Sequence, residues 1–483
     1  MRFTQTVANI SLVIRIIYMN FSQKYRNNKF ALLFYSSTPK IINDIVFSVY
    51  GIIKYFEYLK IKSKYLPELK INEFKTREDI QEIQENKLKK IIKHAYDNTE
   101  YYKKVIDDCN LNPYDFSFKD LKKLPILTKD ILQANNKKLT ASNHKIYNSV
   151  QQSSGGTTGT TINFLMDKEN YMYKEAEVML YWERFGYFVG KSKAVMFRAN
   201  ILFSTDGKVP NKPWRRDYGR KLLYISSYYA SNNYYKKYYL KLKKWKPDFM
   251  HVLPSAGFLF ATYLNEKNLK LKFKKIFSAS EMLYPSHKEA MEKAFNCEVV
   301  DHYGHSEPGI YSAGECVNKN LHICDTNTIV EQDNDGSIIE TSLNNFSTPF
   351  IRYKVGDKIE SISSGNCNCG IRSSYISKVI GRDSEILFSG DGRKISSIGF
   401  DQIFRHNNIK IGQIIQEVKG ELTLNVVTSF NFDLKNEESV LKELTSRVGQ
   451  ATIINFNKVK HIKNAKSGKY RLIVSKINDK KNE

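Results

Sequence analysis

Residues Ser153–Phe164 read SSGGTTGTTINF, and this stretch decides what the rest of the chain is for. Its first eight positions hold three glycines and five Ser or Thr, so they have almost no apolar area to bury. Such a segment is kept because something approaches its backbone. Without Cβ atoms the N–H groups of Gly155, Gly156 and Gly159 can curl round an anion, and the hydroxyls of Ser154, Thr157 and Thr158 add donors, which suits phosphate. The expected setting is a loop between a strand and a helix. No Lys follows Gly159, so this is not the G-x-x-x-x-G-K-[ST] loop.

The chain around it has 483 residues, 41% apolar and 26% charged, which are ordinary globular values and exclude wholesale disorder. That length predicts at least two domains. The formal net charge of +25 draws polyanions at long range. Its Lys residues are scattered among Asn, Ile and Tyr over the whole length, as an AT-rich coding bias would also leave them. Without an Arg-rich patch or a nucleic-acid motif, no sequence-specific nucleic-acid partner is expected, and a mild preference for anionic surfaces is. The segment Tyr234–Lys246, YYKKYYLKLKKWK, is the best local candidate for such a face. Its Tyr235, Tyr238, Tyr239, Leu242 and Trp245 fall at helical spacing, which a helix with one buried aromatic face explains more simply. No apolar run reaches the ~18 residues of a membrane span. The early run ANISLVIRIIYMN is short, carries Arg15 and lacks a cleavage site, which argues against a signal peptide. Six cysteines do not make a secreted disulfide scaffold, so the chain reads as cytoplasmic.

Residues 1–75 read as a helical extension, and residues 79–107 as one amphipathic helix. Pro125 separates two helical pieces, and Thr128 is the expected N-cap of the second. After the glycine-rich stretch, short apolar strands such as SKAVMFR, DFMHVLPS and KKIFSAS alternate with helical patterns, the signature of a layered α/β domain. Beyond residue 320 the texture is β-rich. The expected division is a large α/β domain over 76–380 with a β-rich subdomain, and a small, mobile α+β domain over 384–483.

In order, the chain also carries SASEML at 278–283, DHYGHSE at 301–307, RYKVGD at 352–357, GRDSE at 381–385 and SGKYR at 467–471. With the opening loop, this set resembles the adenylate-forming enzymes, the acyl-CoA synthetase superfamily. Within it, HAYDNTEYYKKV, LPILTKDIL and SASEMLYP resemble the phenylacetate–CoA ligase-like branch that includes CapK-type proteins of capsule and polysaccharide gene clusters. The likeness runs from about residue 90 to the end and implies the adenylate-forming fold. It also implies a reaction: a carboxylate and ATP give an acyl-adenylate and pyrophosphate, and the acyl group passes to CoA or to an amine or hydroxyl acceptor.

Carried over residue by residue, the resemblance gives Ser154–Gly159 the β- and γ-phosphates. Glu307 would hold Mg²⁺, with Gly304, His305 and Ser306 in the same nucleotide-binding motif. Tyr303 would lie against the adenine, and Ala279, Ser280 and Glu281 would line that pocket. Asp357 would accept the ribose hydroxyls, Arg382 would reach the nucleotide from the domain junction, and Lys469 would be the mobile catalytic cation. Arg352 is read as structural, pairing with a carboxylate. Two departures stand out: Ser384 replaces the acid or Lys usual two residues after the hinge Arg, and Ala-Ser-Glu replaces a small-small-Glu pattern.

Cys316 and His322 follow the Mg²⁺ motif closely, and Cys367 and Cys369 form a C-x-C after RYKVGD. Thiolates and imidazole in two such pairs suit a structural Zn²⁺, as in some members of that branch. Cys324 is a rival ligand, and Cys109 and Cys297 read as core residues. The expected partners are a small carboxylate and an acceptor such as CoA, an amino sugar or another amine, with peripheral contact to an anionic membrane or to polysaccharide-assembly proteins. Two other activities fit the motifs: adenylyl transfer, as in coenzyme F390 synthetases, and non-catalytic nucleotide binding. The acid itself and the oligomeric state are not written in the motifs.

Overall fold

The structure is a computed structural model that describes residues 40–154, 162–198, 213–227, 231–365, 367–382, 387–395, 400–405, 408–462 and 470–477. Of the expected site residues, Gly155, Gly156, Thr157, Thr158, Gly159 and Lys469 lie outside the described residues, as do Ser384 and the side chain of Arg382.

The first described element is the helix α1 (Lys40–Asn72). The stretch expected as one helix over 79–107 is two, α2 (Arg77–Asn98) and α3 (Glu100–Asp108). Thr99 makes the break. Its backbone N–H closes α2 on the carbonyl of Ala95, while its side-chain oxygen accepts from the amide of Tyr102 at 3.2 Å and caps α3. A β-branched residue able to serve both ends outweighs a continuous amphipathic pattern. Thr128 does cap the short helix Lys129–Ala134, accepting from the amide of Ile131 at 3.3 Å. The strands β1 (Val150–Ser153) and β2 (Asn163–Met166) then pair antiparallel, with Ser153 opposite Asn163. The helix α4 (Lys168–Arg184) follows.

The chain divides into two compact units. One takes the chain up to Lys70, Met172–Ser278 and Glu292–Val300. Its strands β3 (Ala194–Arg198), β4 (Trp214–Asp217), β5 (Leu222–Ser226), β6 (Phe249–Val252) and β7 (Lys275–Ala279) lie in the order β7-β6-β3-β5-β4. All but the edge strand β4 run parallel. The helices α5 (Asn232–Trp245) and α6 (Pro254–Glu266) supply crossovers, the arrangement that alternating strands and helices dictate. α5 buries Tyr235, Tyr238, Leu242 and Trp245, so the aromatic face of the Lys-rich segment belongs to the core. α1 packs into the same unit. A Cβ on Gly51 would stand 1.9 Å from Oδ1 of Asp217, and the buried Glu183 receives the Tyr58 hydroxyl at 3.1 Å and the ammonium groups of Lys62 and Lys70.

The other unit takes Ile71–Tyr171, Ala279–Met291 and Asp301 onward. Here β8 (Val299–Tyr303), β9 (Ala313–Glu315), β10 (Leu321–His322), the short β14 (Ile362–Ser363) and β15 (Tyr375–Ile376) form a largely antiparallel series. A second sheet has the order β11-β12-β13-β16, from Thr328–Gln332, Ser337–Ser342, Tyr353–Ile359 and Val379–Arg382. After the ribbon of β17 (Leu387–Phe388) and β18 (Lys394–Ile395), the strands β19 (Ile409–Val418), β20 (Glu421–Thr428), β21 (Ile453–Lys458) and β22 (Ile473–Ser475) make a mixed sheet. The helix α7 (Leu434–Val448) buries Val440, Leu444 and Val448 in a core shared with Ile414, Leu424 and Ile473. Tyr284 and Met282 pack on that same core.

Candidate functional site

The hairpin that carries the glycine-rich stretch is closed at its described end by Ser154. This buried serine donates its N–H to the carbonyl of Ile162 at 2.8 Å, and its Oγ accepts the Ile162 amide at 2.9 Å. The strand-then-helix setting expected for residues 155–161 is therefore corrected: both flanks are strands that pair with each other. The apolar run Ile162–Met166 pairs back on β1 because alternate members, Phe164 and Met166, reach the core. Asn345 and Asp167 fix the hairpin from below. Asn345 Oδ1 accepts the amide of Asp167 at 3.0 Å, and the Asp167 carboxylate accepts the amides of Phe346 and Ser347, each at 2.8 Å.

SASEML follows at the end of β7. Ala279 is buried, Ser280 adopts φ +75°, a strained conformation for a residue with a Cβ, and Glu281 comes next. The Glu281 carboxylate accepts the backbone N–H of Tyr470 at 3.1 Å. Tyr470 is itself fixed, its hydroxyl donating to the carbonyl of Gly412. The position after Lys469 is thereby held against one of the expected pocket residues.

Tyr303, at the end of β8, donates its hydroxyl to Oδ2 of Asp357 at 2.9 Å. Asp357 is buried in β13 directly after Gly356, whose φ of +87° would strain any residue with a side chain. Arg382 stands opposite Asp357 in the antiparallel pairing of β13 with β16, so the expected ribose acceptor and hinge arginine are cross-strand neighbours. Arg352, read as structural, makes a two-pronged ion pair with Glu331, both contacts at 3.1 Å.

Around the Mg²⁺ motif the structure adds a residue that the motifs did not single out. Glu340, fully buried in β12, accepts from His305 Nε2 at 2.6 Å through one oxygen and from the amide of Ile310 at 2.6 Å through the other. A Cβ on Gly309 would lie 1.6 Å from that second oxygen, which makes glycine the residue that lets the turn close over Glu340. On the other side of the imidazole, Nδ1 stands 3.6 Å from Oε2 of Glu307. Burial disfavours the imidazolium, but the Glu340 charge outweighs it with help from Glu307, and His305 is held up at about 10. Burial likewise works against ionised Glu307, yet His305 and the Ser306 hydroxyl, 3.1 Å away, bring it down to about 2. The result is a turn carrying a carboxylate that stays charged. The sequence held one signal for Glu340: two-residue alternation in GSIIETSL puts it on the same side of β12 as Ile338, the core side.

The four expected metal ligands come together. One ligand atom from each of Cys316, His322, Cys367 and Cys369 lies within 4.8 Å of every other. Metal–sulfur bonds of about 2.3 Å in a tetrahedron give sulfur–sulfur edges of about 3.8 Å. The Cys316 and Cys367 sulfurs are 3.8 Å apart, and Cys369 Sγ is 3.3 Å from His322 Nε2. His322 Nδ1 lies 3.2 Å from the carbonyl of Ser373, a contact that fixes the ring and turns Nε2 toward the thiols. The amide of Asn320, at 3.3 Å from the Cys367 sulfur, favours its thiolate against the cost of burial. Cys324 is not in the group; its sulfur lies 3.5 Å from the Thr326 hydroxyl. Cys109 and Cys297, expected in the core, are only partly buried. No helix among the described residues is long and apolar enough to cross a membrane.

Residues 387–476 match the CapK C-terminal domain family. Over 454 residues, 92% of this chain and 99% of the relative, the chain is 27% identical to Protein CapK of Staphylococcus aureus. Among solved structures it is similar to 2-hydroxyisobutyryl-CoA ligase in the postadenylation state in complex with R3-HIB-AMP, with a TM-score of 0.64 at 16% identity over 84% of this chain and 91% of that one. The same ligase in the thioesterification state, in complex with 2-HIB-AMP and CoA, gives a TM-score of 0.53 at 16% identity over the same shares, 84% and 91%. The chain thus has the fold of those ligases, is similar to Protein CapK over most of its length, and matches the CapK C-terminal domain family over residues 387–476.

Proposed function

We propose that the protein uses ATP to activate a carboxylic acid as its acyl-adenylate, releasing pyrophosphate, and then passes the acyl group to CoA or to an amine or hydroxyl such as that of an amino sugar, in capsular or surface polysaccharide synthesis. The observation that carries this reading is the seat of Tyr470 on Glu281, which holds the residue after Lys469 against the SASEML motif. In the reaction, negative charge spreads over the α-phosphate and the departing pyrophosphate, so the residues act by positioning and by neutralising charge. The N–H groups of Gly155–Gly159 and the hydroxyls of Thr157 and Thr158 hold the β- and γ-phosphates, while the N–H of Ser154, expected in the same role, is spent on the Ile162 carbonyl. The Tyr303 ring lies against the adenine, and Asp357 takes the ribose hydroxyls. Glu307, charged and partly exposed at 14%, fits a hard cation and would hold Mg²⁺, which would supply neutralisation of the leaving group. Lys469 meets the substrate carboxylate and the bridging oxygen, and Arg382 reaches the nucleotide from its place opposite Asp357.

The test is pyrophosphate exchange that requires both ATP and a carboxylic acid, run over a broad panel of acids with mass spectrometry of the products. Acyl-adenylate followed by free AMP is the expected result. AMP retained on the final product would make the protein an adenylyl transferase instead, and no exchange with any acid would remove the activation reading.

Cys316, His322, Cys367 and Cys369 are proposed to hold a structural Zn²⁺, tying the β9–β10 turn to the segment before β15. Metal analysis of the purified protein is expected to give about one zinc per chain, and Cys367→Ser with Cys369→Ser to abolish it and lower Tm. A stoichiometry near zero, with Tm unchanged in the double variant, would leave four free side chains and no metal.

A further inference from the structure

On the outer side of α1, Ile45, Val49, Ile52, Phe56 and Leu59 recur at steps of four and three residues and are 40–60% exposed. At about 1.5 Å of rise per residue they form an apolar stripe about 20 Å long. The inner side of the same helix is committed to the protein through Tyr50, Tyr58, Ile61 and Tyr65, and through the ion pairs on Glu183. The stripe is thus carried on a helix already fixed in place, and binding through it orders no new helix. Exposed Lys60 and Lys64 follow it on the same helix. Ahead of it, the first 43 residues hold six Lys or Arg and no Asp or Glu; the first acid in the chain is Asp44. They also contain the apolar runs ISLVI and ALLFY.

We propose that α1 docks the protein on an anionic lipid surface, the stripe entering the headgroup boundary and Lys60 and Lys64 meeting lipid phosphates. An apolar face combined with a basic flank is the chemistry such a surface selects. Steps of four and three residues would also suit a helix of a second copy. Charge decides between them: two chains of +25 repel, whereas an anionic bilayer attracts each. The docking helix is α1 and not the Lys-rich α5, whose Tyr235, Tyr238 and Trp245 are spent on the core.

The experiment is flotation of the full-length protein with vesicles of phosphatidylglycerol and phosphatidylcholine, against vesicles of phosphatidylcholine alone. The protein is expected to float with the anionic vesicles at low salt, to stay behind with the neutral ones, and to be released at about 1 M salt. Ile52→Ser with Phe56→Ser should weaken partitioning by about tenfold or more, because each side chain loses its transfer into the boundary. Circular dichroism, Tm and oligomeric state of the variant should match the parent. Protein that stays behind with anionic vesicles overturns the proposal, as does a well-folded variant that floats as well as the parent. A parent that is dimeric in solution and becomes monomeric in the variant would assign the stripe to a second copy and overturn it equally.

Discussion

Glu340→Gln destabilises the protein by about 3–5 kcal/mol, the range for removing one partner of a buried ion pair. The glutamate is fully buried, receives His305 and the Ile310 amide at 2.6 Å each, and leaves no room for water under Gly309. Glutamine keeps the shape but loses the charge, so the imidazolium is left with only Glu307, 3.6 Å away. Denaturant titration checks the magnitude, and pH checks the cause. His305 lies above its ordinary 6.5 in the folded state, so its share of stability is full below that value and drains away as pH rises through about 10. Glu307 lies below its ordinary 4.5, so its share is present above that value and drains away as pH falls through about 2. The two limbs meet at His305: Glu340 is the main support of the imidazolium, and the imidazolium is the main support of ionised Glu307. The variant should lose most of the alkaline limb, since only Glu307 is left to support the imidazolium. The double change His305→Leu with Glu340→Leu should recover part of the stability, because the charged pair leaves together while the Ile310 amide still loses its acceptor. A cost below about 1 kcal/mol for Glu340→Gln, within the range of an ordinary surface change, would show that the buried charge does not brace the turn.

Lys469→Ala should slow adenylate formation by about 10²–10³-fold, the usual cost of losing one donor aimed at developing charge. The effect should fall on pyrophosphate exchange alone. Transfer from supplied acyl-adenylate to the acceptor should keep nearly its parent rate, because that half-reaction has no pyrophosphate to expel. Next to Lys469 in sequence, Tyr470 is anchored to Glu281 and to the Gly412 carbonyl. Moderate slowing from Glu281→Ala, which loosens the anchor and leaves the ammonium in the chain, should accompany it. Parent-like exchange in Lys469→Ala would remove this lysine from the chemistry.

Much of the architecture was legible because periodicity and punctuation agree over most of the chain. Parallel strands such as β3, β6 and β7 are short apolar runs between helical patterns, and they form where those runs stand. Arg352 was legible as a structural cation, and it clasps Glu331. The four Cys and His ligands converge as their spacing suggested, while Cys324, only two residues from His322, turns to Thr326. The failures have local causes. Thr99 breaks a helix whose apolar pattern runs on, because one side chain caps the next helix more favourably than it extends the last. The strand before the glycine-rich stretch pairs with the strand after it because Asn163–Met166 is committed to β1, a pairing that composition does not reveal. Glu340 escaped notice because its partner His305 is 35 residues away and only the fold brings the two together.

The hydroxyl that Tyr303 lends to Asp357 has a consequence for how a ligand enters. A buried acid already satisfied by a neighbouring phenol presents no thirsty charge to bulk ions, and in the proposed reaction an arriving ribose would trade places with an internal group instead of stripping off solvent. Recognition there is an exchange of like for like: small in net energy, stringent in geometry, and most favourable to a guest that can return what it displaces.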